Sequence, residues 1–303
     1  MDIKAFRGLN NVTDPLRLGA DWLVQADNVN ILDSGALSAR DGYSLVASGN
    51  YSAIYSTFDY RRCYVVKSTV LQTFEGVPLL QLTSTNPMYW AEVNDNVYFN
   101  NGVDSGVIYP DHSLGPWRNA DLSAAYGAGF KGDDGTDLTI LFDTLPLNTD
   151  VIQHWQGRMY AAQYVAADNY TVVWFSEPLA FHLFNNDSNF FMVPGQVLMM
   201  APHDKGLIVG TNNRVYAYQG EGIDQLADYG VVPGQHWSAD GDERTLFWTT
   251  RGLCAALPFT NLTERQVSVA PGVSAGGTIM RHGGQKRYVV ALQQGGAAFN
   301  PYV

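Results

Sequence analysis

The run Leu207-Ile208-Val209-Gly210-Thr211, Asn212-Asn213, Arg214-Val215-Tyr216-Ala217-Tyr218 reads as two β-strands closed by a two-residue turn. Both flanks are aliphatic, β-branched or aromatic, and asparagine tolerates the positive φ of tight hairpin turns. Outward from this pair the same unit recurs. Tyr64-Val65-Val66 leads to Phe74, Val97-Tyr98-Phe99 to Val107-Ile108-Tyr109, and Met159-Tyr160-Ala161 to Val172-Val173-Trp174-Phe175. Leu246-Phe247-Trp248 leads to Leu253-Cys254, and Tyr288-Val289-Val290 to Ala298-Phe299. Ahead of each hairpin stands another short apolar segment: Ala53-Ile54-Tyr55, Met88-Tyr89-Trp90, Val151-Ile152, Val197-Leu198-Met199, His236-Trp237 and Thr278-Ile279-Met280. An inner strand followed by a hairpin, repeated about every 40 residues, is the signature of β-propeller blades. The sequence therefore predicts an all-β fold, a β-propeller of six blades, with seven as the alternative.

Arg62-Cys63-Tyr64-Val65-Val66 and Lys286-Arg287-Tyr288-Val289-Val290 are the best internal match, at opposite ends of the chain. The interval between the second and third units is longer, which predicts an insertion at about 111–148 between those blades. Residues 1–50 are expected to form an amino-terminal arm, whose stretch Asn28-Val29-Asn30-Ile31, Asp33-Ser34-Gly35 and Ala36-Leu37-Ser38-Ala39-Arg40 donates an outer strand to the last blade and closes the ring, with a seventh, irregular blade as the alternative, and 51–303 the propeller. Closure matters because an open sheet edge invites aggregation.

Eighteen Lys plus Arg stand against 29 Asp plus Glu, a net charge of −11. That is the wrong sign for a protein that grips nucleic acid through its phosphates, although a wall that repels phosphates lets the polymer slide past. Cys63 and Cys254 are far apart in apolar runs and read as core thiols. A disulfide framework or zinc site needs more cysteines or closer spacing. The first residues contain no apolar signal-like core, and no stretch reaches the length of a membrane span, so synthesis in the cytoplasm without a membrane anchor is expected.

A more specific signal lies in Phe6-Arg7-Gly8-Leu9-Asn10-Asn11, Asp14-Pro15, Ala26-Asp27-Asn28-Val29-Asn30-Ile31 and Gly35-Ala36-Leu37-Ser38-Ala39-Arg40-Asp41-Gly42-Tyr43. Trp155-Gln156-Gly157-Arg158-Met159-Tyr160, Phe175-Ser176-Glu177-Pro178 and His182-Leu183-Phe184 extend it. Together these phrases resemble the β-propeller structural proteins of bacteriophage tails and necks, similar to the packaged-DNA-stabilising and tail-nozzle or hub proteins of short-tailed phages. The resemblance covers most of the chain and is poorest over Asp111 to Asn148. It implies a structural virion protein that surrounds or closes the genome exit channel and helps retain and eject DNA. It further implies a homo-oligomeric ring, with a hexamer favoured, contacts with portal, adaptor or other tail proteins, and passage of DNA without sequence-specific binding. Full nozzle proteins are often much longer than this chain.

Chemistry-bearing motifs are sparse. Ser238-Ala239-Asp240-Gly241-Asp242-Glu243-Arg244-Thr245 has the wrong spacing for a sialidase-type Asp box and reads as a polar loop. Asp133, Asp134 and Asp137 offer oxygen ligands for a cation such as calcium but lack the distal bidentate Glu, so a solvated turn is favoured. The six histidines are dispersed, and neither a nucleophile elbow nor a phosphate-binding loop occurs. No catalytic residue and no cofactor is expected. Arg61-Arg62 is the only adjacent basic pair, read as a solvated strand end. The competing function, a carbohydrate-binding or carbohydrate-degrading propeller at the tail tip, requires carboxylates or exposed aromatics at one mouth.

The insertion mixes many glycines with Trp117, Leu138, Ile140 and Phe142, which seek burial. The expectation is that it folds over the propeller or docks on a neighbouring subunit through these residues, with Leu138 to Phe142 as its most ordered strand. Removal of 115–145 is expected to leave the blades folded.

Overall fold

The computed structural model describes residues 3, 5–42, 44–127, 129–239, 244–282 and 285–294. It divides into two compact units, one of Met1–Ser48 with His236–Val303 and one of Gly49–Gln235. The amino-terminal segment is grouped with the carboxy-terminal strands, to which it was expected to contribute.

In the first unit, β1 (Gly8–Leu9) pairs in parallel with β2 (Trp22–Leu23), and β3 (Val29–Ile31) forms a hairpin with β4 (Leu37–Ala39). Gly35, at φ +78°, turns that hairpin, and a Cβ there would lie 2.5 Å from the Ala5 side chain.

The Gly49–Gln235 unit is a succession of antiparallel meanders. The first contains β5 (Tyr51–Ser56), β6 (Cys63–Lys67), β7 (Val70–Thr73) and β8 (Pro78–Gln81). The second contains β9 (Tyr89–Val93), β10 (Asn96–Asn100), β11 (Ser105–Ile108) and β12 (Leu114–Gly115). After a short helix α1 (Leu122–Tyr126) comes the third, of β13 (Thr149–Trp155), β14 (Arg158–Val165), β15 (Tyr170–Glu177) and β16 (Ala180–Phe184), with β17 (Phe190–Pro194) also on β15. The fourth runs β18 (Val197–His203), β19 (Gly206–Thr211), β20 (Val215–Tyr218) and β21 (Ile223–Ala227). Inner strands pack side by side, β9 on β13 and β13 on β18. Four-stranded meanders packed in this way are propeller blades, and the fold is an all-β β-propeller.

Every residue of β19 is buried, because a middle strand of a blade is covered on both faces. That accounts for the unbroken apolar run Leu207-Ile208-Val209 where a half-exposed strand would alternate. Gly210 continues the run because a Cβ would lie 2.5 Å from Val231. Two apolar clusters fill the unit, one built on Trp155, Tyr160 and Val209 and the other on Tyr64, Trp90 and Phe99.

The inner edge of the second blade is closed by a side chain. Trp90 N donates to Gln235 Oε1 (3.1 Å) and Gln235 Nε2 donates to Trp90 O (3.0 Å). The amide supplies the rung that a further strand would have made, so neither backbone group is left bare.

The first unit resumes with β22 (Ser238–Ala239), β23 (Thr245–Thr249), β24 (Gly252–Ala256) and β25 (Thr260–Asn261), another four-stranded sheet. Fully buried His236 accepts the Trp248 N–H at Nδ1 (2.9 Å). β26 (Ser274–His282) and β27 (Gln285–Gln293) form a hairpin, and Arg287 Nη1 donates to Asn30 Oδ1 (2.8 Å) of β3. Among the described residues the β3–β4 hairpin keeps its own pairing and reaches β27 through that side chain.

Inner strands and hairpins lie where the sequence placed them, except that β22 begins one residue beyond His236-Trp237. Ala298-Phe299, Tyr43 and Asp240 to Glu243 lie outside the described residues. Cys254 is buried and Cys63 half-buried, and burial raises the Cys63 pKa, with Glu75 adding to it. Among the described residues no helix is long and apolar enough to cross a membrane.

Candidate functional site

The inserted segment after β11 is where the chain departs from the repeating plan. It divides into a buried root and an exposed tip. At the root, Leu114 and Gly115 are β12, paired with Ile108 and Val107, so the insertion begins as the outer strand of the second blade. Trp117 is fully buried. Its Nε1 donates to Phe181 O (2.9 Å), and its ring meets Tyr98 edge-on at 5.0 Å and lies 6.5 Å from Phe184. Leu145 is buried on the returning limb. Trp117, expected to pack over the propeller or to dock on a neighbouring subunit, packs into the core of its own chain, because a Trp whose N–H finds a buried carbonyl can bury its whole ring. Removal of 115–145 would thus remove core, contrary to expectation.

The limbs converge where Asn119 N donates to Thr144 Oγ1 (3.1 Å). Beyond this neck, Asp121 caps α1 by accepting the Ala124 N–H (3.0 Å). Asp137 caps a one-turn 3₁₀ helix, Leu138–Leu141, accepting from Thr139 N (2.9 Å) and Thr139 Oγ1 (2.6 Å), and it also bonds Ser123. Leu138 to Phe142 is accordingly not the expected strand. The Asp-x-Thr capping bonds satisfy the turn locally, whereas a strand would have needed a partner along its length.

The tip folds onto the third blade of its own chain. Asp143 N donates to Phe184 O (2.8 Å), Phe184 N donates to Asp143 O (2.9 Å), and Asn186 Nδ2 donates to Asp143 Oδ2 (2.8 Å). Tyr126 Oη lies 3.1 Å from His182 Nδ1. Aromatic contacts run from Phe142 to Phe130, Tyr126, His182 and Tyr98. Burial lowers the His182 pKa, and the Pro116 carbonyl opposes this, so burial favours the neutral imidazole. Phe142 and Leu138 are half-buried in the docked tip. Ile140 is 74% exposed and Leu141 68% exposed.

The candidate cation ligands are engaged in turns. Asp134 Oδ1 accepts from Thr136 N (2.9 Å), Asp137 is the 3₁₀ cap, and Asp133 is exposed. Local hydrogen bonds lower the pKa of Asp134 and of Asp137. Among the described residues, His, Cys, Asp and Glu nowhere gather in threes fit to hold a metal. Arg62 Nη2 donates to Asp95 O (2.7 Å), and Arg61 lies beside Asp59, so the basic pair braces a strand end.

Two acids, buried Glu92 and half-buried Asp150, went unread in the sequence. Glu92 accepts from Tyr55 Oη (3.1 Å) and Phe58 N (2.9 Å), tying the β5–β6 turn to the second blade. Asp150 opens β13, accepts from Val151 N (2.7 Å), and has its pKa raised by burial. Neither stands in a recognisable motif, so only the fold reveals them.

No family model matches the chain, and no curated protein matches it. Similar solved structures include the extracellular domain of a one component system from B. thetaiotaomicron, at 12% identity and TM-score 0.46 over 82% of this chain and 32% of that one. The WD40 domain of SCAP from fission yeast is similar at 8% identity and TM-score 0.41 over 78% and 57%. A functionally unknown protein from Desulfotomaculum acetoxidans is similar at 10% identity and TM-score 0.40 over 87% and 80%. The chain spans about a third of the first of these and less than two thirds of the second.

Proposed function

We propose that this chain is a structural component of a bacteriophage tail or neck, a rigid propeller that assembles as a ring, with six copies favoured, around or across the genome exit channel. The observation that carries the reading is the amino-terminal series of phrases from Phe6 to Tyr43, which resembles that family. The net charge of −11 supports it, since an acidic wall does not hold a passing phosphate backbone. Six blades are favoured over seven in this reading: the four four- and five-stranded sheets of Gly49–Gln235 and the Ser238–Asn261 sheet are five candidates, and the β26–β27 hairpin would belong to a sixth. The reading makes the chain a virion protein without enzymatic activity, made in the host cytoplasm, with portal, adaptor or tail proteins as partners. Ile140 and Leu141 supply the apolar part of its contact surface. The test is co-assembly of the purified chain with the portal and adaptor proteins encoded beside it. A stable complex supports the proposal, and failure to enter one under any order of addition ends it.

A carbohydrate-binding role at the tail tip is the second reading, favoured by Phe58 and Tyr60, which stand exposed in one turn, Tyr60 at 86%. Binding to host-surface glycans that is lost in Tyr60→Ala would select it.

A further inference from the structure

Outer blade strands present a free edge, which is a template for another chain unless charge, proline, shortness or a cover blunts it. Most outer strands of the Gly49–Gln235 unit are blunted. β8 opens on Pro78, β12 has two residues, β21 carries Asp224, and β16 is bridged by Asp143. β17 is different. It reads Phe190-Phe191-Met192-Val193-Pro194, and no charged residue occurs from Ser188 to Gln196. β15 is its only paired strand among the described residues.

Register shows which backbone groups point away. Phe175 N donates to Asn189 O (2.9 Å) and Gly195 N donates to Asn169 O (2.9 Å). Between them Val173 faces Phe191 and Thr171 faces Val193. Bonded and non-bonded pairs alternate along an antiparallel ladder. Phe191 and Val193 therefore direct their N–H and C=O groups to β15, whereas Phe190, Met192 and Pro194 direct theirs outward. The side chains of these last three are exposed too, Met192 at 56%.

We propose that β17 pairs with itself: two copies of the chain join antiparallel, edge to edge, about a two-fold axis at Met192. In that register each Met192 N–H donates to the Met192 carbonyl of the other copy, and each Phe190 N–H donates to the Pro194 carbonyl of the other copy. All outward N–H groups are then used. Pro194, which has no N–H, falls opposite Phe190, so only the Phe190 carbonyl is left to water. On the exposed face Phe190 meets Pro194 and Met192 meets its counterpart. Two acidic chains thereby meet along a stretch free of charge. Such an isologous contact cannot by itself close a six-fold ring, so it stands apart from the ring contact and does not rest on the virion reading.

Sedimentation velocity of the full chain across the micromolar range tests it. The wild type is expected to rise from 33.3 kDa towards twice that mass. Met192→Pro removes the central donors while sparing every bond to β15, because the Met192 N–H points outward. Met192→Lys sets like charges face to face on the axis. Both variants are expected to remain monomeric with a wild-type near-ultraviolet circular dichroism spectrum, and the lysine variant decides if the proline variant misfolds. Met192→Cys is expected to form an intermolecular disulfide under mild oxidation, since a bonded antiparallel pair holds its Cα atoms about 5.5 Å apart. The unsubstituted chain, with Cys63 and Cys254, is its control. A wild type that stays monomeric, or a dimer that survives both Met192→Pro and Met192→Lys, overturns the proposal.

Discussion

Excision of residues 120–142, with Asn119 joined to Asp143 through a short Gly-Ser link, is expected to leave the Gly49–Gln235 unit folded, whereas Trp117→Ala is expected to cripple it. The limbs already meet at the Asn119–Thr144 hydrogen bond, so the splice spans little distance. The excised tip takes with it the Tyr126–His182 contact and a half-exposed aromatic row, a loss of about 1–2 kcal/mol for one hydrogen bond and partial ring burial. Trp117 is fully buried and holds the Phe181 carbonyl. Truncating a buried Trp to Ala costs about 3–5 kcal/mol, and a carbonyl left without its donor adds about 1 kcal/mol or more. At about 2–4 °C per kcal/mol for a unit of this size, the substitution lowers the melting temperature by roughly 8–24 °C and the excision by only a few degrees. Differential scanning calorimetry, with hydrogen exchange to assign each transition, measures both. Equal destabilisation by the two changes, or a Trp117→Ala variant as stable as wild type, would refute the division into a buried root and a dispensable tip.

Other consequences are open to measurement. Gln235→Ala leaves the Trp90 N–H and C=O unpaired and is expected to destabilise the unit by about 2–4 kcal/mol unless water enters, with faster exchange of the Trp90 amide as the specific sign. His154 and His182 have pKa values lowered by burial, so between about pH 6.5, where an unfolded histidine titrates, and their lower folded values the unfolded chain binds more protons. Stability contributed by keeping them neutral is therefore present above that window and lost as pH falls through it. Protection factors of the tip amides, which divide out the intrinsic exchange rates, should be lower at pH 5.5 than at pH 7.5, and His182→Phe should abolish that difference. Ile140→Ser together with Leu141→Ser, at exposed positions, should change stability by less than about 0.5 kcal/mol while weakening ring assembly, as read by native mass spectrometry.

The legible parts of the sequence were those in which local pattern and tertiary burial agree. Leu207 to Tyr218 announced a hairpin because both strands are apolar on both faces. Arg62 to Val66 and Lys286 to Val290 matched because both occupy the second strand of their hairpins. The turn between the first pair was right in length and wrong in mechanism. Neither Asn212 nor Asn213 adopts a positive φ, since Thr211 closes the turn, its Oγ1 accepting the Arg214 N–H (3.0 Å) and its own N–H reaching Arg214 O (2.8 Å). Outer strands such as β12, β21 and β25 were illegible because they are short or polar and owe their conformation to a neighbour. Trp117 carried no local sign of burial. Its partner carbonyl at Phe181 is 64 residues away. The Gln235 rung, across 145 residues, was equally beyond local reading.

Virion membership can be read by quantitative mass spectrometry of purified phage particles, produced from the genome that encodes this chain with and without its coding sequence. A virion protein of the proposed kind should be present at a fixed copy number per particle, a multiple of six under the favoured symmetry, and particles should leak or fail to eject DNA when it is missing. Particles that lack the chain altogether, or that eject DNA normally without it, would contradict the account.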